Sequence, residues 1–89
     1  MTGTALITGG QQGIGLGIAE ALVAAGFRVV LAAQLTPDAP AVRSALAHLG
    51  DAARYAQHDL NDIAHVPALI DTAEAEFGPI TSLVSNAGV

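Results

Sequence analysis

Short apolar runs alternate with longer stretches whose apolar residues recur every three or four positions, and glycine or proline stands at most of the changes between them. Thr4–Thr8 (TALIT) runs apolar into a glycine cluster, which predicts a buried strand ahead of a turn. From Gly13 onward, Ile14, Ile18, Leu22 and Ala25 keep helical spacing, with Glu20 on the exposed side and Gly26 at the stop. Arg28–Ala33 (RVVLAA) is a near-continuous Val/Leu/Ala run, as suits a parallel strand covered on both faces. The two prolines of Leu35–Pro40 predict a loop, with Asp38 as the cap of a second helix carrying Val42, Ala45, Leu46 and Leu49 and ending at Gly50. Ala53–Gln57 (ARYAQ) reads as a third strand despite Arg54. A third helix, capped by Asn61 or Asp62, carries the stripe Ile63, Val66, Leu69 or Ile70, Ala73 and Phe77 up to Gly78-Pro79. Beyond the first turn Pro67 would remove a backbone hydrogen bond, so that helix is expected to start late or bend there. Ile80–Ser85 (ITSLVS) predicts a fourth strand.

The order βαβαβαβ, with helical connections that return the chain to one end of the sheet, implies parallel strands and right-handed crossovers. The fold class is therefore α/β, a doubly wound parallel sheet. The full arrangement has strand order 3-2-1-4-5-6, of which this chain supplies the first half plus strand 4, in the order 3-2-1-4. An apolar fourth strand with no outer neighbour leaves an edge that folded proteins avoid. Residues 1–89 are accordingly expected to be the N-terminal part of a single, longer domain.

Composition narrows the function. Apolar types make up 52% of the chain and charged types 12%, which argues against disorder. Three arginines, no lysine and eight acids give a net charge of −5, so no cationic face is available for nucleic acid or an anionic membrane. The lack of cysteine excludes disulfides and thiolate zinc sites and is compatible with a reducing interior; a cytoplasmic location is expected. Residues 1–19 carry no charge, but six glycines, three threonines and two glutamines interrupt them and no basic segment precedes them, so neither a targeting signal nor a membrane span is expected.

The chemistry points to Thr8–Gly17 (TGGQQGIGLG), between the first strand and the first helix. Gly9 permits a sharp turn, Gly13 lets backbone N–H groups approach a diphosphate, and Gly15 lets the helix lie close on the sheet. The positive end of the helix dipole then faces the ligand's negative charge, with no cationic side chain required. Glycine-rich turns also occur without ligands, but here the turn sits between a strand and an amphipathic helix, the context this chemistry needs. A P-loop would end in Gly-Lys-Ser/Thr, and the chain has no lysine.

On these residues the chain resembles the short-chain dehydrogenases/reductases of the non-extended type, whose fold is the Rossmann-type sheet. Thr8, Gly9, Gly13 and Gly15 match the family's TGxxxGxG fingerprint. Asp59-Leu60 falls after the third strand, where the family places an Asp and an apolar residue against adenine. Asn86-Ala87-Gly88 matches the family's NNAG, with Ser85 in place of the first Asn. Singly, Asp59 could merely start a helix and Asn86-Ala87-Gly88 could be an ordinary turn; in this order behind the glycines they form one pattern. Within the family, the wording TGGxxGIG and the acidic, Ala-rich composition are most similar to bacterial 3-oxoacyl carrier-protein reductases and related sugar or alcohol dehydrogenases.

The resemblance implies an oxidoreductase moving a hydride between NAD or NADP and a carbonyl or alcohol substrate, in a parent expected to be a homo-oligomer. It implies cofactor contacts at Gly9, Gln11, Gln12, Gly13, Ile14, Gly15, Gln34, Asp59, Leu60, Asn86, Ala87 and Gly88. The family's catalytic Tyr and Lys form YxxxK. Here the sole tyrosine is Tyr55, followed four residues on by Asp59, so no catalytic residue is assigned. Cofactor form is read near the end of the second strand, where Gln34 and Thr36 are neutral; Gln12 stands where NADP-using members often carry a base. With nothing positive for a 2′-phosphate except Arg43 reaching back, the reading leans to NAD.

Two other classes remain: a non-catalytic dinucleotide-binding module of the same fold, and a methyltransferase-like domain, which would usually want an acid ending the second strand. His48, His58 and His65 lack ligand-like spacing and read as surface or partly packed residues, with no metal site. Asp71, Glu74 and Glu76 read as a solvated helix face.

Overall fold

A computed structural model describes residues 3–9, 13–58 and 66–85. Four parallel strands, β1 (Thr4–Thr8), β2 (Arg28–Ala33), β3 (Ala53–Gln57) and β4 (Ser82–Ser85), form one sheet in the order β3-β2-β1-β4. Helices α1 (Gly13–Ala24), α2 (Pro40–Leu49) and α3 (Val66–Phe77) connect them, with a 3-10 turn over Gly50–Ala52 before β3. This is the doubly wound arrangement expected from the alternation of runs.

The two-residue period of the strands sorts their side chains onto opposite faces. Ala5, Ile7, Val29, Leu31 and Ala53 meet Ala19, Ala45 and Leu49 on the face covered by α1 and α2. Leu6, Val30, Ala32 and Ala56 meet Leu69 and Ala73 of α3 on the other. Being covered on both sides, β1 and β2 carry polar residues only at their ends, Thr4, Thr8 and Arg28, and Leu6, Ile7, Val29, Val30 and Leu31 form the centre of the core.

Four local expectations are corrected. The buried seam of α1 is Gly15 and Ala19, flanked by partly buried Leu16, Ile18, Leu22 and Val23; Ala25 is exposed and Ile14 is 77% exposed. Small residues bring the helix backbone against the sheet, so the bulkiest residue of the first turn is turned away from it. Asp38 does not cap α2: the cap is Ala39, which makes no side-chain hydrogen bond, because Pro40 occupies the first turn and needs no N–H partner. The fourth strand starts at Ser82 rather than Ile80, because the Ile80 N–H donates to the Glu74 carboxylate at 3.0 Å. Glu74 is thus a tie at the end of α3 and not part of a freely solvated face, and Glu76 sits 3.6 Å from Arg54. Pro67 stands in the first turn of α3, where its missing N–H breaks no helical bond; Asn61, Asp62 and Ile63 lie outside the described residues.

At the N-terminal ends of the strands, Thr81 clips β4 to β1. Its hydroxyl accepts from the Thr4 N–H at 3.1 Å and donates to the Thr4 carbonyl at 3.2 Å, while its own N–H donates to that carbonyl at 2.9 Å. Gly3 lies so close that an added Cβ would overlap the Thr81 hydroxyl. Gly3→Ala is therefore expected to destabilise the protein by about 1–3 kcal/mol through overpacking. The check is the urea midpoint, and an unchanged midpoint would show that Thr81 can move aside at no cost.

Candidate functional site

In open α/β sheets ligands lie outside the carboxyl ends of the strands, so the rim where β1, β2 and β3 end is the place to build from. Beyond β1 the Gly9 N–H donates to the Ala32 carbonyl at 2.8 Å, and beyond β3 the His58 N–H donates to the Ala33 carbonyl at 2.8 Å. The rim is therefore a continuous hydrogen-bonded ledge. Gly9, Ala32, Ala33 and His58 are fixed along it, with Gln34 exposed at its outer corner.

Gly9 has φ 69° and Gly13 φ 61°, the left-handed region that side chains rarely adopt. At Gly13 the backbone demand is joined by an open approach, since an added Cβ would find no heavy atom of the described residues within 4 Å. Gly13 starts α1, whose first turn carries no acidic residue, so no protein carboxylate there opposes the helix's positive end. Ile14, exposed in that turn, offers an apolar surface beside the free helix N–H groups. Gly15 is buried one helical turn before Ala19 and holds the turn close to the sheet. The arrangement can bind an anionic group through backbone N–H donors.

The arginines confirm that side-chain charge contributes little to the ledge. Arg28 and Arg54 stand near the opposite ends of their strands, 5.4 Å and 5.1 Å from the Phe77 ring centroid, and Arg54 also donates to the Asp51 and Ala53 carbonyls. Arg43 is exposed in the first turn of α2, the helix that follows the outer corner of the ledge. A cleft lined by Gly3, Thr4, Arg28, Phe77, Pro79 and Thr81 also lies at the far end of the strands, away from the glycine turn.

Of the residues expected at a ligand, the structure brings Gly9, Gly13, Ile14, Gly15 and Gln34 to this one end of the sheet. Gln11, Gln12, Asp59, Leu60, Asn86, Ala87 and Gly88 lie outside the described residues. Two features escaped the sequence reading. His58 Nε2 is buried without a hydrogen-bond partner among the described residues. Tyr55 turns its hydroxyl onto the carbonyls of Ala33, at 2.9 Å, and Leu35, at 2.6 Å, with burial raising its pKa above the usual 10.0. The hydroxyl is protonated, and so a donor, across the neutral range, and burial moves its ionisation further from it. His48 lies 3.3 Å from Glu20 on the surface, and no group of His, Asp or Glu among the described residues could hold a metal. No helix among the described residues is long and apolar enough to cross a membrane.

A parallel sheet of this order, with a glycine turn opening onto the N-terminus of its first helix, defines the Rossmann-type class of doubly wound α/β domains. The family model for short chain dehydrogenases matches residues 3–89, and the chain belongs to that family. It is 41% identical over 87 residues to the NADP-dependent (R)-specific alcohol dehydrogenase of Lentilactobacillus kefiri, covering 96% of this chain and 33% of that protein. It is 39% identical over 85 residues to the galactitol 2-dehydrogenase of Agrobacterium fabrum, covering 96% of this chain and 32% of that one. Among solved structures, a variant actinorhodin polyketide ketoreductase with NADPH superposes with a TM-score of 0.85 at 33% identity, covering 99% of this chain and 34% of that one. The chain thus spans about a third of the length of the curated relatives it matches.

Proposed function

We propose that this chain is the N-terminal, pyridine-dinucleotide-binding part of a longer oxidoreductase that moves a hydride between the nicotinamide and a carbonyl or alcohol substrate. The observation that carries the reading is Gly13: a left-handed glycine with open space before it, starting a helix with no acid in its first turn. Gly9, Gln11, Gln12, Gly13, Ile14 and Gly15 would surround the diphosphate, and Gln34 the adenosine ribose. Asp59 and Leu60 would meet the adenine, with Asn86, Ala87 and Gly88 completing the wall beyond β4. The bound cofactor supplies the hydride chemistry; this chain's residues bind and orient it.

The proposal covers both NAD and NADP. The neutral corner at Gln34 favours a free ribose hydroxyl, yet the similar alcohol dehydrogenase is NADP-dependent by name, so the lean to NAD gains no support. Arg43 is the described cation whose helix starts nearest this corner in the chain. Tyr55, whose one hydroxyl proton is directed at the Ala33 and Leu35 carbonyls, is not the catalytic tyrosine. We place a Ser and a YxxxK pair in the rest of the parent, together with the elements that cover the outer edge of β4, where Leu83 is 63% exposed. A cytoplasmic homo-oligomer acting on a small molecule fits the same reading.

Calorimetric titration of the full-length protein with NADH and NADPH, beside a carbonyl-reduction assay, tests it. Saturable binding with turnover is expected. Binding without turnover would remove the oxidoreductase reading, and binding of neither form at millimolar concentration would remove the site itself.

A further inference from the structure

Three consecutive carbonyls leave β2, and each is held by β3. The Ala33 carbonyl accepts the His58 N–H at 2.8 Å and the Tyr55 hydroxyl at 2.9 Å. The Gln34 carbonyl accepts the Gln57 side-chain N–H at 3.3 Å. The Leu35 carbonyl lies 2.6 Å from the same Tyr55 oxygen, whose single proton is shared between the Leu35 and Ala33 carbonyls. Tyr55 is half-buried beside Leu31 in the register of the sheet, so its ring is fixed by the core and its hydroxyl has a defined reach. By contrast, the side chains of Gln34, Leu35 and Thr36 are exposed. Without the contacts from β3 this segment would be a short solvent-facing loop ahead of Pro37, free to sample several backbone arrangements.

We propose that Tyr55, assisted by Gln57, is a positioning residue for cofactor selectivity: it clamps the backbone that presents Gln34 and Thr36 to the adenosine ribose, and so determines how the protein separates a 2′-hydroxyl from a 2′-phosphate. The inference rests on the dinucleotide reading above. Discrimination between two ligands that differ by one substituent depends on groups held in fixed positions, because a mobile segment can rearrange to accept either. Tyr55 acts on carbonyl oxygens that no side-chain substitution in the loop itself would remove, which makes β3 the place where the selectivity can be loosened.

The test is the ratio of the NADPH and NADH dissociation constants, measured by calorimetry on the full-length protein well below its melting temperature. Tyr55→Phe keeps the ring in the core and removes only the hydroxyl. It is expected to move the ratio toward one by about fivefold, the scale of one net hydrogen bond. Gln57→Leu should move it the same way by less. Glu74→Ala, which removes the tie to Ile80 at the far end of the sheet, should lower stability and leave the ratio unchanged. An unchanged ratio in Tyr55→Phe overturns the proposal, as does a wild type that binds both forms equally, since the clamped segment then discriminates nothing. A wild type that binds neither form overturns the dinucleotide reading itself, and the clamp proposal with it.

Discussion

Gly13→Val is expected to weaken dinucleotide binding by about 100-fold while leaving the protein folded. The backbone at this position has φ 61°, which costs a non-glycine residue about 1–2 kcal/mol and a β-branched one more. A Cβ added here meets no heavy atom of the described residues within 4 Å, so the core has no reason to move. The side chain instead enters the space from which an anion would approach the first N–H groups of α1. Losing two charge-assisted hydrogen bonds at about 1.5 kcal/mol each corresponds to roughly 100-fold in affinity. Calorimetry with NADH or NADPH and a parallel thermal melt read the two effects separately. Retained affinity with an intact fold would place the ligand elsewhere.

The largest effect on stability is expected for Leu31→Ala. Leu31 lies at 0% exposure in β2, paired with Ile7 of β1 on one side and Tyr55 of β3 on the other, under α1 and α2. Truncation there removes buried surface and leaves a void that the close-packed neighbours cannot fill, at a cost of about 2–5 kcal/mol. Set against typical stabilities of about 5–15 kcal/mol, this is a large fraction of the whole. Urea unfolding measures it. Ile14→Ala, at an exposed position, should change stability by no more than about 0.5 kcal/mol. Equal losses at the two positions would contradict the packing described here.

The strand order was legible because strands alternating with helical connections pair in parallel with right-handed crossovers, and Arg28–Ala33 is an apolar run of the kind that suits a strand covered on both faces. The seam of α1 was not. A reading that weighs hydrophobicity ranks Ile14 above Gly15 and Ala19, whereas close helix-to-sheet contact selects small residues, and Ile14 is left exposed. Asp38 failed as a cap for a similar reason: its residue type suits the role, but Pro40 two positions on already fixes where the helix begins. At the site, Gly9 and Gly13 could be found from spacing alone, because a left-handed turn restricts residue type at the position that adopts it. The clamp on Leu35 could not, since Tyr55 lies 20 residues away and meets it only through the β2–β3 register. Nor did spacing show that Glu74 would fasten the start of the last strand segment.

On the proposed function, the backbone amides where β1 turns into α1 hold the dinucleotide's diphosphate. The most direct measurement is the change in amide chemical shifts of the isotopically labelled full-length protein on saturation with NADH or NADPH. The largest changes among described residues are expected at Gly9, Gly13, Ile14 and Gly15, with little at Gly3, Thr4 and Thr81 on the opposite end of the sheet. Saturation that leaves the Gly13 and Ile14 amides unmoved, or shifts centred on the Gly3–Thr81 end, would contradict it.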